Sequence, residues 1–175
     1  MATSLVACAN SEPAPEANRR TNDPQSTVVP KGQWREVSVP VPPYPKAENL
    51  VEFRIDGTAS FKFFADTQSV RVDEDGVVRY TLIARSGSGV ENVSFEGIHC
   101  EKREFKVYAV GSIDGTWLTP RNSNWRPIEK KKNNGYRKSL HNYYFCPSGF
   151  PRINAKETIL VLKRGRPDFG DYREL

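Results

Sequence analysis

Residues 77–100 read VVRYTLIARSGSGVENVSFEGIHC, and the pattern of this stretch decides the fold. Val78, Tyr80, Leu82 and Ala84 occupy alternate positions over residues 77–85, and Val93 and Phe95 alternate with polar neighbours on the way to Cys100. A period of two sends alternate side chains to opposite faces of an extended chain, so each half is a strand. Ser86-Gly87-Ser88-Gly89 between them has the small, permissive residues of a hairpin loop. Two strands joined so tightly pair antiparallel.

The same period recurs on both sides. Val51, Phe53 and Ile55 alternate with Glu52, Arg54 and Asp56 until Gly57 breaks the run. Phe61, Phe63 and Phe64 open another strand, Val70 and Val72 mark a further one over 69–73, and Asp73-Glu74-Asp75-Gly76 is a turn with a solvated acidic tip. Phe105, Val107 and Ala109 share a face over 104–110, and Gly97 is the expected bulge. Sequential strands with short loops predict an antiparallel meander.

Beyond Val110 the period changes. Trp117, Trp125 and Ile128 are apolar anchors in an irregular segment. Leu140, Tyr143 and Tyr144 lie at helical spacing, which predicts a helix over 136–145, and Cys146-Pro147 ends it. A second helix spans 155–164, with Asn154 as N-cap, Glu157 as its capping partner, Gly165 as the stop, and Ile159, Leu160 and Leu162 on its apolar side. The predicted fold class is α+β, mainly β. It is an antiparallel sheet of five to six strands with one or two C-terminal helices packed on it.

Composition sets the boundaries. The hydrophobic fraction of 37% is low for 175 residues, and the deficit sits in the N-terminal part. Residues 1–33 read as a disordered linker, because so polar a stretch buries too little to offset its ordering entropy. Residues 34–48, with Pro40, Pro42, Pro43 and Pro45, read as an extended tether along the domain surface. The domain itself covers 49–165, and 166–175 form a loose tail. No apolar run is long enough for a membrane-spanning helix.

Three cysteines carry the strongest functional signal. Cys8 closes Leu5-Val6-Ala7-Cys8, which matches a lipid-attachment motif, although only Met1 to Ser4 precede it where a signal has a basic and an apolar region. Cys100 follows a strand and Cys146 follows the first helix. In an oxidising compartment such a pair is bridged, closing a loop of about 47 residues at roughly 3–4 kcal/mol and tethering that helix to the sheet. The rivals are two free thiols and a zinc site completed by His99 and His141. Adjacent His99 and Cys100 leave a strand on opposite faces, which argues against zinc. The histidines are expected at ordinary polar positions.

The net charge of +5 is local. Residues 125–138 carry Arg126, Lys130, Lys131, Lys132, Arg137 and Lys138 against Glu129, interleaved with Trp125 and Tyr136. This is a possible binding patch for an envelope macromolecule, whether protein, anionic lipid or cell wall. Nucleic acid is not an expected partner of an exported chain. No phosphate loop, nucleophile elbow or metal motif occurs, so no metal, cofactor or catalytic residue is assigned. A hydrolase would need a pocket joining Asp66 or Glu96 to His99.

Specific runs resemble a known family. Asp66-Thr67-Gln68-Ser69-Val70, residues 75–82 and 91–100, Tyr108-Ala109, Gly115-Thr116-Trp117, Trp125-Arg126-Pro127-Ile128 and Tyr144-Phe145-Cys146-Pro147 are similar to the cryptic neisserial protein family of beta-proteobacteria. The likeness spans 37–162 and implies export without a known activity. Residues 66–146 also bear some resemblance to surface-adhesin protein E, which implies a sheet with a disulfide-tethered helix and makes adhesion to host proteins thinkable. The expectation is a non-enzymatic, macromolecule-binding lipoprotein of the periplasm or outer membrane. The alternatives are a surface adhesin and an envelope hydrolase.

Overall fold

The alternating runs become β3 (Val77–Ser86) and β4 (Glu91–His99), paired antiparallel with Leu82 opposite Ser94 and Tyr80 opposite Glu96. The computed structural model describes residues 34–56, 60–128 and 135–165. Around the central hairpin lie β1 (Leu50–Phe53), β2 (Phe61–Val72), β5 (Glu104–Gly111) and β6 (Trp117–Leu118), in the order β1-β2-β3-β4-β5-β6. The two-residue β7 (Arg126–Pro127) pairs with the other end of β5, completing a seven-stranded antiparallel sheet. Two helical segments complete the expected α+β, mainly β, class.

Two expected strands are one. β2 runs through from Phe61 to Val72, and its register with β3 jumps between Asp66↔Thr81 and Arg71↔Arg79. Side chains replace the missing ladder bonds. Ser69 Oγ donates to Asp66 O at 2.8 Å and accepts from Thr81 N at 2.7 Å, while Asp66 Oδ1 accepts from Gln68 N at 3.1 Å. The expected bulge at Gly97 lies on the partner strand instead. Phe95↔Ala109 is followed by Glu96↔Val107, so Tyr108 is the extra residue. Gly97 makes room for it, since a Cβ there would stand 2.8 Å from the Tyr108 ring.

The first helix is α1 (Gly135–Ser139), which widens into a π-helical turn over Leu140–Phe145. The wider turn, closed by Cys146 N donating to His141 O at 2.9 Å, buries Leu140, His141, Tyr144 and Phe145 together. It delivers Cys146 to Cys100, and their Sγ atoms are bonded at 2.06 Å. The second, α2 (Ala155–Arg164), has the expected cap, with Asn154 accepting from Glu157 N at 2.9 Å. Leu162 faces the core, whereas Leu160 is 44% exposed and not on the buried side as expected.

Both helices cover one face of the sheet, over a core that includes Phe53, Val78, Tyr80, Leu82, Ile98 and Phe105. The opposite face is filled as well. Residues 34–48 cross it as a strap, and Val77, Arg79, Ile83 and Phe95 beneath are buried. Trp117 Nε1 donates to Pro42 O at 2.9 Å, and Tyr44 fits against Gly111, where a Cβ would lie 2.6 Å from its hydroxyl. The proline-rich segment is therefore a packed layer of the fold and more than a tether.

Candidate functional site

Glu96 faces the helix side of β4 and is 1% exposed. Its carboxylate is saturated. Oε2 accepts from Tyr80 OH at 3.1 Å and Arg137 Nε at 2.9 Å. Oε1 accepts from Ser94 Oγ at 2.9 Å, Tyr136 OH at 3.1 Å and a second Arg137 nitrogen at 2.8 Å. A buried carboxylate needs such partners to stay charged. Burial opposes the Arg137 charge, but Glu96 beside it holds the guanidinium firmly protonated. Burial, then the Glu96 charge, push the Tyr80 and Tyr136 phenols well above their usual range, so both remain donors. A cavity of about 340 Å³ lies alongside, walled by Leu82, Ala84, Val107 and Val110.

The opposite face has its own ionic centre. Arg79, fully buried, reaches Asp73 at 2.8 Å and Asp75 at 2.6 Å, and also donates to Val37 O at 3.0 Å. Asp75 accepts from Val37 N at 2.8 Å, and burial is outweighed by Arg79, which lowers its pKa. The acidic turn expected to be solvated is thus drawn inward, because its carboxylates neutralise a cation that strand alternation placed under the strap. Lys106 and Trp125 Nε1 both donate to Glu36, which fixes the start of the strap. Glu36, Asp75 and Arg79 carried no motif in the sequence. The available signal was an arginine alone between apolar strand residues.

The basic segment is only partly brought together. Trp125 is committed to Glu36, and Tyr136 and Arg137 to Glu96. Arg126 is exposed and lies over one side of the neighbourhood of Phe105, 4.7 Å from its ring centre, while Arg137 lies 3.8 Å from the same ring. Lys138 is half-buried. Lys130, Lys131 and Lys132 lie outside the described residues, as does Cys8. Ile128, 8% exposed, and Leu140, fully buried, fix the chain on either side of the lysines.

Neither histidine is an ordinary surface polar residue, since each is 2% exposed. His141 Nε2 donates to Cys100 O at 2.9 Å, and its Nδ1 lies 3.0 Å from Asn142 Oδ1 and 3.2 Å from the Arg103 guanidinium. His99 packs against Trp34 and Trp125, at ring separations of 4.9 and 6.1 Å. Glu96 and His99 sit at odd spacing on β4 and leave the sheet on opposite faces. The pairing that a hydrolase site required is not made between them. Among the described residues no three His, Cys, Asp or Glu side chains converge on a metal position.

The model of the CNP1-like family matches residues 29–163. Cryptic neisserial protein 1 of Neisseria gonorrhoeae is 28% identical over 166 residues, covering 85% of this chain and 80% of the relative. No solved structure matches. The matched region takes in the strap, the whole sheet, both buried ionic centres and the disulfide-tied helix, and the chain belongs to the CNP1-like family.

Proposed function

We propose that the protein is exported to the cell envelope, held at a membrane surface by lipid on Cys8, and acts by binding an anionic envelope macromolecule, without catalysis. The observation that carries this reading is the Cys100–Cys146 bridge, with both residues at most 1% exposed. A bridge of this kind forms and persists outside the reducing cytosol. Binding is favoured over catalysis because the best-formed buried carboxylate, Glu96, already has five donors, two of them on its partner Arg137. The residues proposed to make the contact are Arg126, Lys130, Lys131 and Lys132.

Two experiments test the reading on the full chain in a Gram-negative host. Labelled palmitate is expected on the wild type and absent from Cys8→Ser; an unlabelled wild type removes the anchor. Cosedimentation with phosphatidylglycerol vesicles and with purified cell wall is expected for the wild type. Lys130→Glu, Lys131→Glu and Lys132→Glu together should weaken it by about a hundredfold, at roughly 1 kcal/mol per lysine. Equal retention of the triple variant on both materials overturns the binding surface.

A further inference from the structure

The irregular stretch of β2 turns Asp66 toward a cavity of about 390 Å³ between the strap and the sheet. Its walls are Pro42, Pro43 and Tyr44 on the strap, with Glu48, Asn49 and Gln68 around the carboxylate. Asp66 is 3% exposed, and the groups that favour its charge are neutral ones, the Gln68 N–H at 3.1 Å and the Ser69 side chain. No ion pair reaches it among the described residues, in contrast to Asp75 and Glu96, which each have an arginine. A carboxylate removed from water without a counter-charge is costly to keep ionised, and burial accordingly raises the Asp66 pKa. The bulge nonetheless holds it there through the Ser69 and Thr67 hydrogen bonds, the latter to Asn49 O at 3.0 Å.

We propose that this cavity is a binding site for an alkylammonium group, with Asp66 as its buried counter-ion. Asp66 and Glu48 outnumber Lys46 in the lining, so the site favours a cation. The proline rings offer apolar surface to a methylene stem, and the Tyr44 ring attracts a cation through its face. A volume of this size lies within the range of small-ligand pockets. The ammonium belongs either to a free diamine or to a lysine side chain of a partner protein. The site is independent of the basic segment and survives failure of the envelope-binding reading.

Calorimetric titration of the full chain tests it with three probes: 1,5-diaminopentane, Nα-acetyl-lysine methylamide and, as an uncharged control, 1-pentanol. Saturable binding is expected for an amine and not for the alcohol. Preference for the diamine identifies a free ligand, and preference for the lysine derivative a partner side chain. Asp66→Asn keeps the oxygen that accepts from Gln68 N but removes the charge, and should weaken binding by about tenfold or more, the loss of one charge-assisted hydrogen bond. Glu48→Gln, at an exposed position, should weaken it by a smaller factor and guards against a folding defect in the first variant. In the wild type the Asp66 carboxyl ¹³C resonance should shift on amine addition. Absence of amine binding, or equal affinity in Asp66→Asn, overturns the proposal.

Discussion

Glu96 within β4 and Cys100 just past its end stand four residues apart, and each holds one end of the helical segment above. Glu96 pairs with Arg137 at 2.8 Å, and Cys100 is bonded to Cys146. The segment is thus tied to the sheet at both ends, by an ion pair at one and a covalent bond at the other.

The disulfide closes a separation of 46 residues. In the chain-entropy treatment a loop of that span contributes about 4 kcal/mol. Cys100→Ser with Cys146→Ser should therefore lower the free energy of unfolding by about that amount in urea at unchanged pH, and reductant on the wild type should give the same shift. A loss below about 1 kcal/mol would mean that the Glu96–Arg137 pair and the packing of Leu140, Tyr144 and Phe145 fix the segment without the bridge.

Arg79→Met should cost about 3–5 kcal/mol, because it leaves Asp75 buried and unpaired and removes the donor to Val37 O. The loss should also loosen the strap, so limited proteolysis within residues 34–48 should accelerate more in this variant than in Arg71→Met. The Arg71 side chain is 46% exposed, and its contact with Asp73 is worth little. Equal cleavage rates would detach the strap from the ionic centre.

The sheet was legible because its alternation is long. β3, β4 and β5 follow directly from Val78 to Ala84, Val93 to Phe95 and Phe105 to Ala109. The caps of α2 were legible because Asn154 and Gly165 act locally. What did not show in sequence depends on distant partners. Arg79 resembles any outward strand residue until Asp73, Asp75 and Val37 are placed around it. The prolines of the strap disclose its extended shape but not the Trp117 and Gly111 sites that receive it. The join in β2 was hidden because the alternation lapses where backbone N–H groups donate to the Asp66 and Ser69 side chains in place of ladder bonds.

His99 gives the fold a sensitivity to mild acid. Burial, with the Lys102 charge adding to it, lowers its pKa below that of an exposed histidine, which is about 6.5. Above that pH both folded and unfolded chains carry a neutral imidazole. As pH falls below it the unfolded chain binds the proton first, so stability declines until pH has passed the folded-state pKa. Asp66 acts in the opposite sense and at lower pH, since its raised pKa favours the folded chain on acidification. His99→Phe, which keeps a ring between Trp34 and Trp125, should flatten the melting temperature between pH 7 and 5. An unchanged slope would assign the acid sensitivity to other groups.

Glu96 and Arg137 allow the sharpest energetic test, because the pair can be broken from either side or removed whole. Glu96→Gln removes the charge that Arg137 pairs with, while the guanidinium keeps the Phe105 ring at 3.8 Å. Arg137→Met leaves the Glu96 carboxyl with only the hydroxyls of Tyr80, Ser94 and Tyr136, which are weaker compensation than a bidentate cation. Breaking a buried pair costs about 3–5 kcal/mol when a charge is stranded, whereas replacing both members by apolar residues is often close to neutral. Arg137→Met should accordingly be the more damaging single change, because Glu96 is the deeper partner, with a side chain 2% exposed against 11%. The double variant Glu96→Leu with Arg137→Met should recover much of that loss. With the wild type and Glu96→Leu alone, Arg137→Met and the double variant close a thermodynamic cycle whose coupling term should exceed about 1 kcal/mol. Additive losses would show that the two groups stabilise the fold separately, and that the helix owes its position to Cys146 and to the packing of Leu140, Tyr144 and Phe145.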